Sequence, residues 1–537
     1  MTLFHKKERK QKQKIREAFG KPKTEDFDWN AIGRYSDRNP EKGFQKLSEK
    51  TFHDLNLNDL FLYIDRTTSK IGQQFLYNNL WRIPADHSRI EIDEKWIARF
   101  EKEEPLRTEV QYILQKLSGN DAYYLCDLFQ SSSIKPPKWL TAAYFLSFTN
   151  ALALILMFFT PSWFFLSLII TIVNGVLHYL NKKNIYVYLY SMPQLFYLNH
   201  VVEKLIRIDF LQKEEGLSDA SVRFLRQTAK RLNFFRLDEL LRGDPFGILW
   251  GISELIKIFF ILEPIFLFRV LRGIKDREKD LQEAFEFVGR VDQTISVASL
   301  RAGLPYYCRP EIIADIKAIS FTNITLPLVK DCVSNTLQVD GRSILITGSN
   351  MSGKTTFIRT VGINTVMGLT LNTCFAHTFA LPRLKIYSAI LLNDDLMNDK
   401  SFYLEEVQTI GEMIDISGEK IPHLFLLDEI YKGTNTIERV SGGKAVLSWL
   451  NRGNNLVFIS THDIELTELL HKEYALYHFS EQVDERNISF DYKIKPGKMK
   501  TRNAIKILEL NAYPAALIAE ARRLAEEMDK KRVRFDV

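Results

Sequence analysis

The stretch that decides the fold is GSNMSGKTT, residues 348–356. It satisfies the pattern G-x-x-x-x-G-K-[ST] and directly follows SILIT, residues 343–347, a short apolar run that predicts a buried strand. Residues 357–371 then carry a helical pattern. A strand, a glycine-rich loop and a helix amino terminus form a phosphate cradle, because backbone N–H groups and the helix dipole converge on an anion. The stretch therefore predicts a nucleoside-triphosphate site.

The residues of this glycine loop are expected to have different roles. Lys354 reaches the β- and γ-phosphates, and the Thr355 hydroxyl ligates Mg²⁺. The set expected to contact the nucleotide is the whole loop: Gly348, Ser349, Asn350, Met351, Ser352, Gly353, Lys354, Thr355 and Thr356. ATP and Mg²⁺ are therefore the expected cofactors.

Two further apolar strands end in polar residues. HLFLLDE, residues 423–429, has the Walker B arrangement, in which Asp428 holds Mg²⁺ and Glu429 orients or deprotonates the attacking water. LVFIS, residues 456–460, is followed by Thr461 and His462. His462 is expected to sense the γ-phosphate, although a histidine there can also be purely structural. Side chains at strand carboxyl ends fit a ligand at that edge of a parallel sheet, so Lys354, Glu429 and His462 are the candidate catalytic residues.

The composition of the chain excludes few classes of function. The 537 residues suffice for two or three domains, and a net charge of +6 argues neither for nor against nucleic acid. The four cysteines are scattered without a C-x-x-C pair, which favours a reducing compartment and no structural zinc. The amino terminus is rich in lysine and arginine, and a solvated disordered arm is favoured there over an arm that binds phosphate or lipid.

An uncharged run extends from Trp139 to Leu180. It spans about forty residues, twice the ~20 that one bilayer crossing needs, and Pro161 with Ser162 interrupts it. We therefore expect two spanning helices joined by a tight turn. Lysines flank both ends of the run: Lys135, Lys138, Lys182 and Lys183. By the positive-inside rule the ends and the nucleotide site lie in the cytoplasm, so the expected location is the cytoplasmic membrane, multi-pass. The alternative is a buried helical hairpin in a soluble core.

A second apolar region, Gly247–Val270, contains Glu254, Lys257 and Glu263. It could be a third membrane segment, but an interfacial or protein-buried helix is favoured.

The nucleotide motifs resemble those of the MutS mismatch-repair ATPases. Asn350-Met351 within the glycine loop is a hallmark of that family, and residues 428–436, DEIYKGTNT, resemble its Walker B and following loop. Residues 460–466, STHDIEL, resemble its Ala-Thr-His-x-x-Glu-Leu strand, and residues 65–72, DRTTSKIG, resemble its lever-domain motif. The segment 394–405 resembles the part of the family that contacts the partner subunit's nucleotide, with Ser401 as the hydroxyl acting across the dimer.

The resemblance implies a fold class and a division of the chain. We expect a mainly α-helical lever region with a transmembrane helical hairpin, followed by a carboxyl-terminal α/β P-loop ATPase domain of the MutS type. The expected parts are a basic arm (1–50), a first lever arm (51–134), the transmembrane hairpin (135–185), a return arm (186–318) and the ATPase domain (319–537). About fifty residues precede the lever region expected from residue 51, so we expect no mismatch-recognition domain. At the position where relatives stack an aromatic residue on adenine, this chain has Cys332.

The function implied by the resemblance is ATP binding and hydrolysis by a membrane-anchored homodimer that binds DNA, related to mismatch repair or DNA processing. One alternative is the ATPase of a transport system, because VSGGK, residues 440–444, resembles a transporter signature. That signature precedes Walker B in transporters, whereas here the segment follows it. The other alternative is a structural tether that uses ATP only to dimerise, against which Glu429 and His462 both argue.

Overall fold

The computed structural model describes residues 2–41, 43–86, 88–130, 138–213, 217–232, 247–314, 316–349, 351–390, 402–483, 488–499, 504–511 and 513–533. The chain forms two compact units. The first unit comprises Met1–Lys42, Ile64–Trp81 and Asp86–Leu304, and the second comprises Gly43–Tyr63, Arg82–Ala85 and Pro305–Val537. Short segments from the amino-terminal part of the chain thus belong to the second unit. The five-part division expected from the sequence stays a prediction.

Helices dominate the described chain. Up to Leu304 they are α1 (Thr2–Ala18), α2 (Trp29–Arg38), α3 (Glu49–Asp54), α4 (Leu57–Ile64), α5 (Lys70–Trp81), α6 (Ser88–Lys102), α7 (Glu104–Leu114), α8 (Asp127–Gln130), α9 (Leu140–Leu156), α10 (Trp163–Leu205), α11 (Asp209–Lys213), α12 (Asp219–Arg231), α13 (Ile248–Phe260), α14 (Leu262–Ile274) and α15 (Glu278–Gly303). The later ones are α16 (Lys354–Leu371), α17 (Phe402–Ile416), α18 (Thr436–Leu450), α19 (Ile464–Leu470), α20 (Ala504–Leu510) and α21 (Ala515–Val533). Two 3₁₀ helices cover Gln115–Leu117 and Asn120–Cys126.

The described strands are short and lie almost entirely beyond residue 310. They are β1 (Gln45–Lys46), β2 (Arg82–Ile83), β3 (Glu311–Ile313), β4 (Ala318–Ile324), β5 (Asn335–Asp340), β6 (Ser343–Thr347), β7 (Thr378–Pro382), β8 (Lys385–Ala389), β9 (His423–Asp428), β10 (Leu456–Thr461), β11 (Tyr474–His478), β12 (Glu481–Val483), β13 (Ile488–Phe490) and β14 (Lys495–Pro496). The expectation of a mainly helical chain with strands and helices alternating towards its end is confirmed.

The first unit is organised around the long helix α15, which packs on α5 and α6. Asp292, buried on α15, accepts hydrogen bonds from the backbone N–H groups of Thr68 at 2.8 Å and Ser69 at 2.6 Å, just before α5 begins. A Cβ atom on Gly72 would lie 2.2 Å from the Asp292 carboxylate, so only glycine allows this approach. The segment DRTTSKIG therefore anchors the start of α5 to the central helix.

The basic amino terminus is helical, so the expectation of a disordered arm is wrong. Helix α1 packs on α7, and the Lys12 ammonium lies 2.6 Å from Glu109 of that helix and 2.6 Å from Glu8 of its own. Arg16 lies 3.2 Å from Glu104. These ion pairs could not be predicted from the composition of the amino terminus, because the acidic partners on α7 are about ninety residues away in the sequence.

Helices α9 and α10 form a hairpin with the turn between Leu156 and Trp163, as the interrupting proline predicts. Within the described residues one helical stretch, Trp163–Leu180, is long and apolar enough to cross a membrane, and 22% of it is buried. Helix α9 is a shorter apolar helix of 17 residues. Helix α10 does not end with its apolar stretch at Leu180 but continues to Leu205. The transmembrane character of the hairpin stays a prediction.

The second unit is built on a six-stranded sheet with the order β14-β11-β6-β10-β9-β8. Strands β11, β6, β10, β9 and β8 are mutually parallel, and β14 is antiparallel at one edge. All residues of β6 and β10 are buried, which explains why both read as uninterrupted apolar runs. A separate four-stranded sheet has the order β3-β7-β4-β5. The carboxyl ends of β6, β10 and β9 therefore lie side by side.

Candidate functional site

The loop between β6 and α16 follows a backbone path that needs glycine. Gly348 has φ 154° and Gly353 has φ 102°, and Met351 between them has φ 72°. A Cβ atom on Gly348 would lie 2.9 Å from the backbone oxygen of Phe479. Helix α16 begins at Lys354, directly after Gly353, so its free N–H groups face the concave side of the loop. Asn350 lies outside the described residues.

Lys354 is 5% exposed, and its ammonium contacts the backbone of the glycine loop and the ring of His462. The Nζ atom donates to the backbone oxygens of Gly348 and Ser349, each at 2.9 Å, and lies 3.2 Å from His462 Nε2. Burial lowers the pKa of Lys354 from its ordinary value. A buried ammonium with such neighbours is stabilised by an anion beside it, so the site fits a phosphate group.

Two oxygen-bearing side chains meet at the start of α16. The Thr355 hydroxyl donates to Asp428 Oδ2 at 2.7 Å, and the Ser460 hydroxyl donates to the other oxygen of the same carboxylate. Hydroxyl and carboxylate oxygens are the ligands that Mg²⁺ prefers. Thr355 and Asp428 thus have the chemistry and the proximity to hold that ion, as the sequence predicts. Thr356 follows within the first turn of α16.

Glu429 follows β9 in a left-handed backbone conformation, with φ 56°. Its N–H donates to the backbone oxygen of Ser460, at 3.0 Å, which fixes this turn to the adjacent strand. Glu429 Oε1 lies 2.9 Å from His462 Nε2, and Oε2 lies 3.3 Å from Lys432 Nζ. The hydrogen bond from His462 lowers the pKa of Glu429 to about 2, although its partial burial opposes this. Sequence reasoning assigned separate roles to Glu429 and His462, but their direct contact is a tertiary feature.

A cavity of about 420 Å³ opens beside the glycine loop. Its wall includes Lys354, Thr355 and Glu429, and on another side Cys332 and Tyr492. Tyr492 was not predicted from the sequence. A Cβ atom built on Gly353 would lie 3.3 Å from the ring of Tyr492, so this aromatic side chain flanks the loop directly. The signal that could have found it is an aromatic residue in the segment after β11, but nothing local distinguishes it from its neighbours.

Residues 394–405, the segment expected to contact the partner subunit's nucleotide, are described only from Phe402 onward. Ser401 and residues 391–400 lie outside the described residues. Glu406, on α17, was also missed by sequence reasoning, and burial raises its pKa. Its Oε1 accepts a hydrogen bond from the backbone N–H of Tyr431 at 2.5 Å, so α17 supports the turn that carries Glu429.

These features define a strand–loop–helix cradle, with the two carboxylates of Asp428 and Glu429 beside it at the carboxyl edge of a parallel sheet. Residues 344–529 match the family model of MutS domain V. Over 280 residues, 49% of this chain, it is 28% identical to the DNA mismatch repair protein MutS of Methanosarcina acetivorans, of which it covers 30%.

Two further proteins with the same name match a similar share of the chain. The MutS protein of Thermus thermophilus is 26% identical over 50% of this chain, with 33% of that protein covered. For the MutS protein of Halothermothrix orenii the identity is 28%, over 49% of this chain and 31% of that protein. The chain therefore spans about a third of the length of the curated relatives it matches, and the similarity supports a MutS-like chain.

Proposed function

We propose that this chain is a MutS-like ATP-binding and hydrolysing protein whose residues 319–537 form a P-loop ATPase domain. The observation that carries the proposal is the convergence of Lys354, Thr355, Asp428 and Glu429 on one edge of the sheet. Lys354 is buried against the loop, Thr355 and Asp428 are 2.7 Å apart, and Glu429 lines the same cavity as the loop.

Each of these side chains has a part in hydrolysis. The Lys354 ammonium holds phosphate oxygens, and the Thr355 and Asp428 oxygens hold Mg²⁺ directly or through water. When bound, Mg²⁺ neutralises negative charge on the β- and γ-phosphates. The Glu429 carboxylate accepts a proton from the attacking water and aligns it with the γ-phosphorus. His462, which contacts both Glu429 and Lys354, is the side chain whose reorientation would report the γ-phosphate.

DNA binding and dimerisation extend the proposal beyond the single site. Its support is the similarity to proteins named DNA mismatch repair protein MutS, which covers a third of their length. We propose that the chain works as an ATP-gated homodimer on DNA, in mismatch repair or a related process. Ser401 of each subunit would approach the nucleotide of the other.

We further propose that α9 and α10 anchor the protein in the cytoplasmic membrane, with the ATPase domain in the cytoplasm. The support is the distribution of side chains on this hairpin. Large apolar side chains such as Phe148, Phe165 and Ile172 are exposed. The polar side chains of Asn150 and Asn174 are instead fully buried between helices. Helices surrounded by lipid hydrocarbon favour this arrangement, with apolar side chains on the outer surface and polar side chains between the helices.

The test of the enzymatic proposal is Glu429→Gln. This substitution keeps the size of the side chain but removes its basicity, so turnover should fall by about 10²-fold or more while ATP binding is retained. Glu412→Gln, on the exposed side of α17, is the matched control and should hydrolyse ATP as wild type does. Equal turnover in wild type and Glu429→Gln would overturn the assignment.

A further inference from the structure

Helices α13 and α14 are separated by one residue, Ile261, which has φ 48°. A β-branched residue rarely adopts this left-handed conformation, so the surrounding structure must enforce it. The break leaves the carbonyl groups at the end of α13 without the N–H partners that a continuous helix would supply.

Side chains from α9 and α10 satisfy these carbonyl groups. The Nδ2 atoms of Asn150 and Asn174 both donate to the backbone oxygen of Phe259, at 2.9 and 2.7 Å. The Ser147 hydroxyl donates to the backbone oxygen of Phe260. These contacts hold the break beside the middle part of α9 and beside the apolar stretch Trp163–Leu180 of α10, about two-thirds of the way along that stretch.

The charged residues of this segment also turn inward. Lys257 is 1% exposed, and its Nζ atom donates to Glu254 at 2.8 Å and to Glu263, on α14, at 3.0 Å. Glu263 in turn lies 3.7 Å from His178 on α10. The charges that made this region look unsuited to a membrane are therefore paired between helices.

The outer face of α13 is apolar and exposed. Its exposed large side chains are Ile248, Leu249, Trp250, Ile252, Leu255 and Ile256. Because α13 packs on both α9 and α10, this face continues the exposed apolar surface of the hairpin. Helix α13 is 13 residues, about 20 Å, which is too short to cross a ~30 Å hydrocarbon core.

The chain enters and leaves the segment formed by α13 and α14 at neighbouring positions. Arg231, the last residue of α12 before the segment, lies against Gly273 near the end of α14, where a Cβ atom on the glycine would lie 2.6 Å from the Arg231 guanidinium. Exposed Arg269 and Arg272 mark where α14 leaves the apolar layer. A segment with its ends together and its apolar middle broken half-way is a hairpin that enters and returns.

We propose that α13 and the first turns of α14 form a re-entrant hairpin in the hydrocarbon of the bilayer, beside α9 and α10 and in direct contact with lipid. This inference rests on the proposed membrane anchor and deepens it. Lipid is the occupant that fits, because the face carries no exposed charge between Ile248 and Ile256 and is continuous with the surface of the anchor.

The test is photo-crosslinking in liposomes of the full chain carrying benzoylphenylalanine at one position. The positions are Ile252 on α13, Phe148 on α9 and the exposed Lys102 on α6, and the acyl chains of the lipid carry a detectable tag. We expect lipid adducts at Ile252 and Phe148 and none at Lys102. Adducts at Phe148 alone would overturn the re-entrant hairpin and leave the anchor standing. Adducts at neither position would overturn the anchor and this inference together.

A second measurement tests the polar lock, by which we mean the hydrogen bonds from Asn150 and Asn174 to the backbone oxygen of Phe259. Replacing Asn150 and Asn174 together by alanine should reduce the Ile252 adduct several-fold, because both amides donate to the end of α13. The Phe148 adduct should not change, because the bonds of Asn150 to Ser167 and Thr171 only add to the packing of α9 on α10. Thr149→Ala is the control, since its hydroxyl donates to carbonyl groups of its own helix. An unchanged Ile252 adduct in the double variant would refute the lock.

Discussion

The Glu429 carboxylate lies 2.9 Å from the imidazole Nε2 of His462, and their hydrogen bond lowers the pKa of Glu429 to about 2. A carboxylate held in this way stays ionised at any physiological pH but is a weak base. Its basicity would rise if His462 turned away towards a bound phosphate. In the proposed ATPase, the pair would couple recognition of the γ-phosphate to activation of water.

His462→Ala should slow hydrolysis by about tenfold or more, because the base loses its positioning partner. The same change should raise the pKa of Glu429 towards its ordinary value. Since Glu429 acts only when ionised, the acid side of the pH profile of kcat/KM should move to higher pH in the variant, which steady-state rates between pH 4.5 and 8 would measure.

His462→Asn retains a hydrogen-bond donor and should recover part of the loss. Superimposable pH profiles for wild type and His462→Ala would show that the contact with Glu429 has no role in catalysis.

Two inactive variants should complement each other if the nucleotide sites are shared between subunits. Lys354→Ala removes the phosphate contact within a subunit, and Ser401→Ala removes the hydroxyl expected to act on the partner. A mixed dimer keeps one intact composite site, so an equal mixture should recover about a quarter of wild-type turnover. ATPase assays before and after subunit exchange test this, and turnover independent of dilution down to monomer would contradict it.

The membrane anchor predicts how the protein fractionates. Wild type should remain in the membrane pellet through high salt and carbonate and be released by detergent, because Phe148 and other apolar side chains of α9 and α10 are exposed. Deleting residues 138–182 and joining the ends by a short flexible linker should give a soluble protein that still binds ATP. Salt-extractable wild type would indicate instead a hairpin buried against protein.

Tyr492 should contribute to nucleotide affinity through its ring. Tyr492 lines the cavity next to Cys332, which offers no aromatic surface for a base. Tyr492→Ala should weaken ATP binding by about two- to tenfold, the range expected for one stacking contact. Tyr492→Phe keeps the ring and should bind ATP as wild type does.

Inorganic tripolyphosphate has no base, so its affinity should not change in Tyr492→Ala. Calorimetric titration of both ligands distinguishes a stacking contact from a general disturbance of the glycine loop. Equal losses for ATP and tripolyphosphate would show that Tyr492 supports the loop rather than the base.

Several features of this protein were determined locally and could be predicted from the sequence. The glycine loop between β6 and α16 is one, because the positive φ angles of Gly348 and Gly353 favour glycine and the preceding strand has an apolar centre, Ile344 to Ile346. The break between α9 and α10 is another, because proline and a polar neighbour interrupt an uncharged run. Such features depend on residues within one or two turns of each other.

Other features were decided only by tertiary structure. Tyr492 joins the wall of the site from more than a hundred residues beyond the glycine loop, and Glu109 pairs with Lys12 from another helix. Lys257 looked unfavourable for a membrane segment until its partners Glu254 and Glu263 were seen to enclose it. The physical reason is that backbone conformation and hydrophobic periodicity act over a few residues, whereas the cost of burying a polar group depends on which partners the fold brings to it.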